Sequence, residues 1–139
     1  RRPIPDGFFE LNGSAVRYNK DHDHSRHDPL FHYVLEFLAS RGNRRTPVTN
    51  VNSGLMLWER SRLVECNLLG YVQFVKERHG SLYHLIEQDS FNVFASQVSS
   101  AAMPVDYLVL CNWDDANAET RMNATSIHYV GGERYTTWD

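Results

Sequence analysis

Three short segments place chemistry-bearing residues at the edge of apolar runs: Asn52-Ser-Gly-Leu-Met-Leu-Trp58, Glu87-Gln-Asp-Ser-Phe-Asn92 and Ile127-His-Tyr-Val-Gly-Gly132. Asn52 offers one acceptor and two donors on a rigid amide, suited to a sugar hydroxyl. Gly54 has no side chain to keep a ligand from the backbone. Gln88 and Asp89 supply an amide or carboxylate oxygen that can stabilise positive charge at a reacting carbon. His128 can bind a divalent cation through a neutral ring nitrogen. Gly131 and Gly132 let backbone N–H groups turn toward a phosphate, and Arg134 can grip phosphate oxygens with its planar fork. Each segment alone also fits a plain structural part: a turn leading into a strand, acids that cap a helix and complement its dipole, or a strand end followed by a glycine turn.

A fourth cluster, Asp21-His-Asp-His-Ser-Arg-His-Asp28, holds three histidines and three aspartates in eight residues. Its ligand types suit zinc. No apolar run flanks it, so the sequence predicts a solvated loop whose last residue caps the following helix.

The elements that must position these groups follow from periodicity and punctuation. Residues 1 to 28 are rich in loop signals, with a short strand expected over Phe8 to Leu11 or Ala15 to Tyr18. Asp28-Pro29 has the form of a helix start, Asp as N-cap and Pro first inside. Phe31, Val34, Leu35 and Leu38 then recur at helical spacing, and Gly42 can end that helix. The apolar run Val48 to Trp58 predicts a strand buried on both faces. A long helix is expected from about Arg62 to His79, with Leu63, Cys66, Leu69, Tyr71, Val72 and Val75 inward and Gly80 as its stop. Gln88 to Gln97 predicts a shorter helix with Phe91, Phe94 and Ala95 inward. Tyr107 to Cys111 and Ser126 to Val130 are strand candidates, and a loop follows Gly131-Gly132. Alternating strands and helices argue for an α/β fold, in which ligands bind beyond strand ends.

Composition sets the bounds. The chain has 139 residues, 42% of them hydrophobic, enough for one domain with a core. A net charge of -3 gives no long-range attraction to nucleic acid or to an anionic membrane. No basic patch is interleaved with aromatics as a nucleic-acid groove requires, and no apolar stretch is long enough to span a bilayer. The chain begins Arg1-Arg2-Pro3, without a leader, so we expect a piece of a longer or processed protein. Cys66 and Cys111 sit in apolar surroundings, as buried free thiols do, and a disulfide between them stays open. Two glycosylation triplets, Asn12-Gly13-Ser14 and Asn123-Ala124-Thr125, fit a secretory lumen, the Golgi or endoplasmic reticulum of a eukaryote.

In order and spacing, the three segments resemble glycosyltransferase family 8, retaining UDP-sugar transferases of the GT-A fold. The family pattern has Asn-(Ala/Ser/Thr)-Gly before an apolar strand, then Asp-Gln-Asp-x-x-Asn, then His-(Tyr/Phe/Trp)-x-Gly-x-x-Lys with a Trp soon after. This chain has Asn52-Ser53-Gly54, Glu87-Gln88-Asp89-Ser90-Phe91-Asn92, and His128-Tyr129-Val130-Gly131-Gly132-Glu133-Arg134 with Trp138. Leu110-Cys111-Asn112-Trp113 is similar to a stretch between the last two motifs in xylosyl- and related transferases. The resemblance spans residues 48 to 138. It departs at Glu87 for Asp and at Arg134 for Lys.

The resemblance implies the C-terminal portion of a mixed-sheet GT-A fold, lacking the half that carries a strand-borne Asp-x-Asp. It implies Asn52 and Gly54 in the donor-sugar pocket, Gln88 beneath the anomeric carbon, Asp89 on donor or acceptor hydroxyls, His128 on manganese or magnesium, and Gly131 and Arg134 on the diphosphate. The partners it implies are a UDP-sugar carrying glucose, galactose or xylose and a glycan or glycoprotein acceptor, with no nucleic acid and no membrane contact. Two alternatives remain: a non-catalytic carbohydrate-binding or scaffold module of the same fold, and a metal-dependent hydrolase or metal-binding domain using the histidine-rich loop Asp21 to Asp28, with His22, His24 and His27.

Overall fold

The computed structural model describes residues 4–20, 23–83, 86–104, 109–110 and 127–128, with 27, 109–110 and 127–128 described by backbone alone. It is a mixed α/β structure in two compact units, one of Phe9–Met103 and one of Arg1–Phe8 with Pro104–Asp139.

The larger unit is built on a three-stranded mixed sheet. Its centre is β1 (Val16–Lys20), which realises the second of the two strand candidates; residues 8–11 form no strand. On one side β1 pairs antiparallel with β2 (Val51–Trp58), and on the other parallel with β3 (Ser100–Ala102). Among the described residues β2 lies at the edge of this sheet, and its partly exposed side chains overturn the expectation of burial on both faces. Val51 and Asn52 are buried, Gly54 and Trp58 are exposed, and the rest lie between.

The β1–β2 ladder is interrupted. Tyr18 faces Met56, but the next residue, Asn19, faces Asn52, so Ser53, Gly54 and Leu55 loop out of register. The Asn52 side-chain oxygen accepts the Gly54 N–H at 2.8 Å and holds the bulge. Bulges on sheet edges re-aim backbone and side chains. Asn52 supplies what this one needs, a short side chain that bonds two residues onward.

The described residues of this unit form five helices. α1 (His24–His27) is a single turn capped by Asp23, whose carboxylate accepts from the Ser25 backbone at 3.1 Å and from its hydroxyl at 2.5 Å. The Ser25 hydroxyl holds that exposed carboxyl below its ordinary range. The expected start at Asp28-Pro29 is a turn rather than a helix. Asp28 accepts the Leu30 N–H at 2.8 Å, and α2 (His32–Ser40) begins after it. Its inward face is Val34, Phe37 and Leu38, while Leu35, predicted inside, is 44% exposed.

The long helix expected from Arg62 to His79 is two helices, α3 (Arg60–Glu65) and α4 (Leu68–His79). Asn67 breaks it by taking a left-handed conformation, φ 49°, and capping the Gly70 N–H at 3.1 Å. Asn tolerates that backbone and is a strong N-cap. The break rotates the helix face, so Tyr71 and Val75 are fully buried while Leu69, predicted inside, is 76% exposed. Gly80 ends α4 as expected, at φ 80°. α5 (Ile86–Gln97) starts two residues earlier than the sequence suggested.

Two apolar clusters hold these parts. Phe31, Val34, Phe37, Leu38, Tyr71, Val75 and Val93 pack α2, α4 and α5 together, with Phe37 edge-on to Tyr71 at 5.4 Å between ring centres. Val16, Tyr18, Val51, Cys66, Phe94 and Ala95 join α5 to the sheet. Cys66 is a buried free thiol, with its pKa pushed up by burial; Cys111 lies outside the described residues. α5 belongs to both clusters, so its remaining face is fixed against the turn before β2.

In the smaller unit, β4 (Val109–Leu110) pairs parallel with β5 (Ile127–His128), inside the two strand candidates of the sequence. No described helix is long and apolar enough to cross a membrane.

Candidate functional site

The fixed face of α5 is a polar stripe. Asp89, Asn92 and Ser96 follow at spacings of three and four, which stacks them on one side of a helix. All three are buried to 1% exposure or less. Buried polar atoms must be bonded, and each finds partners across the fold. Ser96 Oγ accepts the Val48 N–H at 2.8 Å, and Asn92 Oδ1 accepts the Val51 N–H at 3.0 Å. Two of the three sequence segments are thereby joined: the helix bearing Gln88 and Asp89 is bonded to the strand residue next to Asn52.

The third partner is unexpected. His24 is 5% exposed, its backbone N–H donating to Thr49 O at 2.7 Å. Its Nδ1 lies 3.2 Å from Asp89 Oδ1 and 3.1 Å from Asn92 Nδ2, and its Nε2 lies 3.0 Å from Gln88 Nε2. The histidine-rich segment is therefore not wholly a solvated loop. Its middle residue is built into the core, where three polar side chains of α5 lie within hydrogen-bond distance of the imidazole.

Asp89 gathers the rest. Asn92 Nδ2 donates to Oδ1 at 3.1 Å, and the Tyr83 hydroxyl donates to Oδ2 at 2.5 Å. Tyr83, having given its proton, accepts from the Tyr71 hydroxyl at 2.8 Å. Burial raises both phenols, and for Tyr83 the bond to Asp89 adds to it, so both stay protonated donors. Asp28 also adjoins this centre. Burial and then the nearby Asp89 charge raise its carboxyl, while the Leu30 N–H opposes the rise, and its Oδ2 is buried with no hydrogen-bond partner among the described residues.

The predicted site residues fall into three groups. Gln88, half-buried, and Asp89, fully buried, share the His24 centre. Asn52 is 2% exposed with its oxygen turned to Gly54, which stands exposed at the bulge crest. His128 belongs to β5 of the other unit and is described only by its backbone, and Gly131 and Arg134 lie outside the described residues. Sequence reasoning missed His24, Tyr83 and Tyr71. A single signal pointed toward them: Asp89 falls on a helix whose neighbours Val93, Phe94 and Ala95 are core residues, and a carboxylate there requires distant partners.

Among the described residues no three His, Cys, Asp or Glu side chains converge to hold a metal ion. His24 is committed to Asp89 and Gln88, and His22 and the His27 side chain lie outside the described residues. An open cleft of about 380 Å³ lies over Arg26, Asp28, Pro29 and His32, and another of about 290 Å³ over Arg45, Arg62, Glu65 and Cys66. Neither is lined by Asn52, Gly54, Gln88 or Asp89.

No protein-family model, curated protein or solved structure matches this chain.

Proposed function

We propose that this chain carries the donor-sugar part of a retaining UDP-sugar transferase of the GT-A, family-8-like type, acting on a glycan or glycoprotein acceptor. The observation supporting this most is the Asn92–Val51 bond. It brings the Asn52-Ser53-Gly54 bulge and the Gln88-Asp89 helix, 35 residues apart in sequence, into one neighbourhood. The resemblance requires that meeting, and composition does not. Within the proposal Gln88, half-buried, is the group that meets the sugar. Asp89, wholly buried, acts through His24 and Asn92 rather than on a hydroxyl directly. Gly54 offers exposed backbone to the donor.

The divalent cation enters on the His128 segment alone. It would neutralise charge on the departing diphosphate, with Gly131 and Arg134 holding phosphate oxygens. The residues of the larger unit would bind and orient the sugar.

Release of UDP from UDP-glucose, UDP-galactose and UDP-xylose, with manganese present, tests the proposal. Gln88→Ala should depress turnover far more than donor affinity, and His128→Ala should abolish the manganese dependence. A chain that releases no UDP from any of the three, and whose Gln88 and Gly54 resonances do not shift on donor addition, would overturn it.

A further inference from the structure

We infer that His24 is a positioning residue: as the neutral Nδ1–H tautomer it fixes the Gln88 side-chain amide with its nitrogen toward the imidazole and its carbonyl oxygen away from it. The Asn92 amide settles the assignment. Its Oδ1 accepts the Val51 N–H at 3.0 Å, so its Nδ2 must face Asp89 and His24. Two hydrogen-bond arrangements are then open to a neutral ring. With the proton on Nδ1, the imidazole donates to Asp89 Oδ1 at 3.2 Å and its Nε2 lone pair accepts from Gln88 Nε2 at 3.0 Å. With the proton on Nε2, the Nδ1 lone pair would oppose a carboxylate oxygen at 3.2 Å, and Gln88 would have to turn over. The first satisfies Asp89 and Gln88 and leaves Nδ1–H and the Asn92 Nδ2 side by side at 3.1 Å as two donors to the same carboxylate oxygen. The second satisfies Asn92 but sets a lone pair against a carboxylate in a buried centre, where such a mismatch weighs most. The hydrogen bond at one ring nitrogen sets the state of the other.

The order of control runs from the buried carboxylate outward. The Tyr71–Tyr83–Asp89 chain and Asn92 hold Asp89, Asp89 holds the ring, and the ring holds Gln88. The orientation of the amide stands on this geometry alone. Its catalytic consequence rests on the transferase reading above: the oxygen is presented to the reacting carbon in one orientation instead of two.

Long-range ¹H–¹⁵N correlation on the whole ¹⁵N-labelled chain at pH 7.5 tests the inference. The His24 ring should show the neutral Nδ1–H pattern. Gln88→Glu, which sets a carboxylate at Nε2, should convert that ring to imidazolium at the same pH. An Nε2–H pattern in the parent chain, or a ring unchanged in Gln88→Glu, overturns it. His24→Asn keeps a donor for Asp89 but cannot reach Gln88. UDP-sugar hydrolysis by that variant should fall about tenfold or more in kcat with little change in donor KM, and an unchanged kcat overturns the positioning role. If the parent chain hydrolyses no donor while the ring pattern is as described, the transferase reading fails and the His24–Gln88 assignment holds.

Discussion

Replacing Asn92 by Ala removes the bond that ties α5 to the bulged edge strand. The size of the effect follows from what is left behind. The Val51 N–H is buried, with Val51 at 0% exposure, and loses its acceptor, about 1–3 kcal/mol for an orphaned donor. Asp89 Oδ1 loses one of its donors, and hydrogen bonds to charged groups contribute about 1.5–3 kcal/mol. The missing amide leaves a small void at a fully buried position, adding on the order of 1 kcal/mol. These terms share Asp89 and are not independent, so the expected loss is about 3–5 kcal/mol. Against a typical total of about 5–15 kcal/mol, that is a large fraction. Urea unfolding followed by tryptophan fluorescence suits the measurement, since Trp58 stacks on Phe91, the neighbour of Asn92. Amide exchange supplies a local readout, because Val51 should lose its protection first. A loss below about 1 kcal/mol, with Val51 still protected, would refute the argument that this bond joins the two segments.

Other outcomes follow from the same centre. Asn92→Asp keeps the acceptor for Val51 but sets a second carboxylate beside Asp89. It should be destabilised at neutral pH and regain stability on acidification, measured as urea midpoints from pH 7 to pH 4. Asp28→Asn works the other way. The folded carboxyl is raised by burial and by Asp89, so its contribution is fully present below the unfolded value and lost as pH rises through the folded one. The variant, still able to cap Leu30, should therefore be more stable than the parent at pH 7, with the difference vanishing below about pH 4. Tyr83→Phe deprives Asp89 of a donor and Tyr71 of its acceptor, and should cost about 1–3 kcal/mol in urea unfolding. Gly80→Ala meets no neighbour within 4 Å but must hold φ 80°, so thermal unfolding should report a loss of about 1–2 kcal/mol from backbone strain alone.

Much of the local structure was legible in the sequence because it depends on near neighbours. Gly80 stops a helix wherever it falls at the end of a periodic run. The apolar spacing of Phe31, Val34 and Leu38 places α2, and the α5 helix follows from Phe91, Phe94 and Ala95. Asn52-Ser-Gly reads in sequence as a turn leading into a strand, whereas the structure makes it a bulge inside one, since a bulge is defined by the partner strand. Asn67 was not recognised as a helix break, because the preference of Asn for a left-handed turn is weak until packing favours it.

Within the larger unit, the centre around Asp89 belongs to tertiary structure. The sequence alone determined that Gln88, Asp89 and Asn92 would lie on one helix and Asn52-Ser53-Gly54 at a strand, since 3.6-residue and two-residue periods are local properties. Only the folded chain decided that a histidine 65 residues away would sit between Asp89 and Gln88. A buried carboxylate must be satisfied by whatever donors the packing delivers, and no local pattern specifies which donors those are.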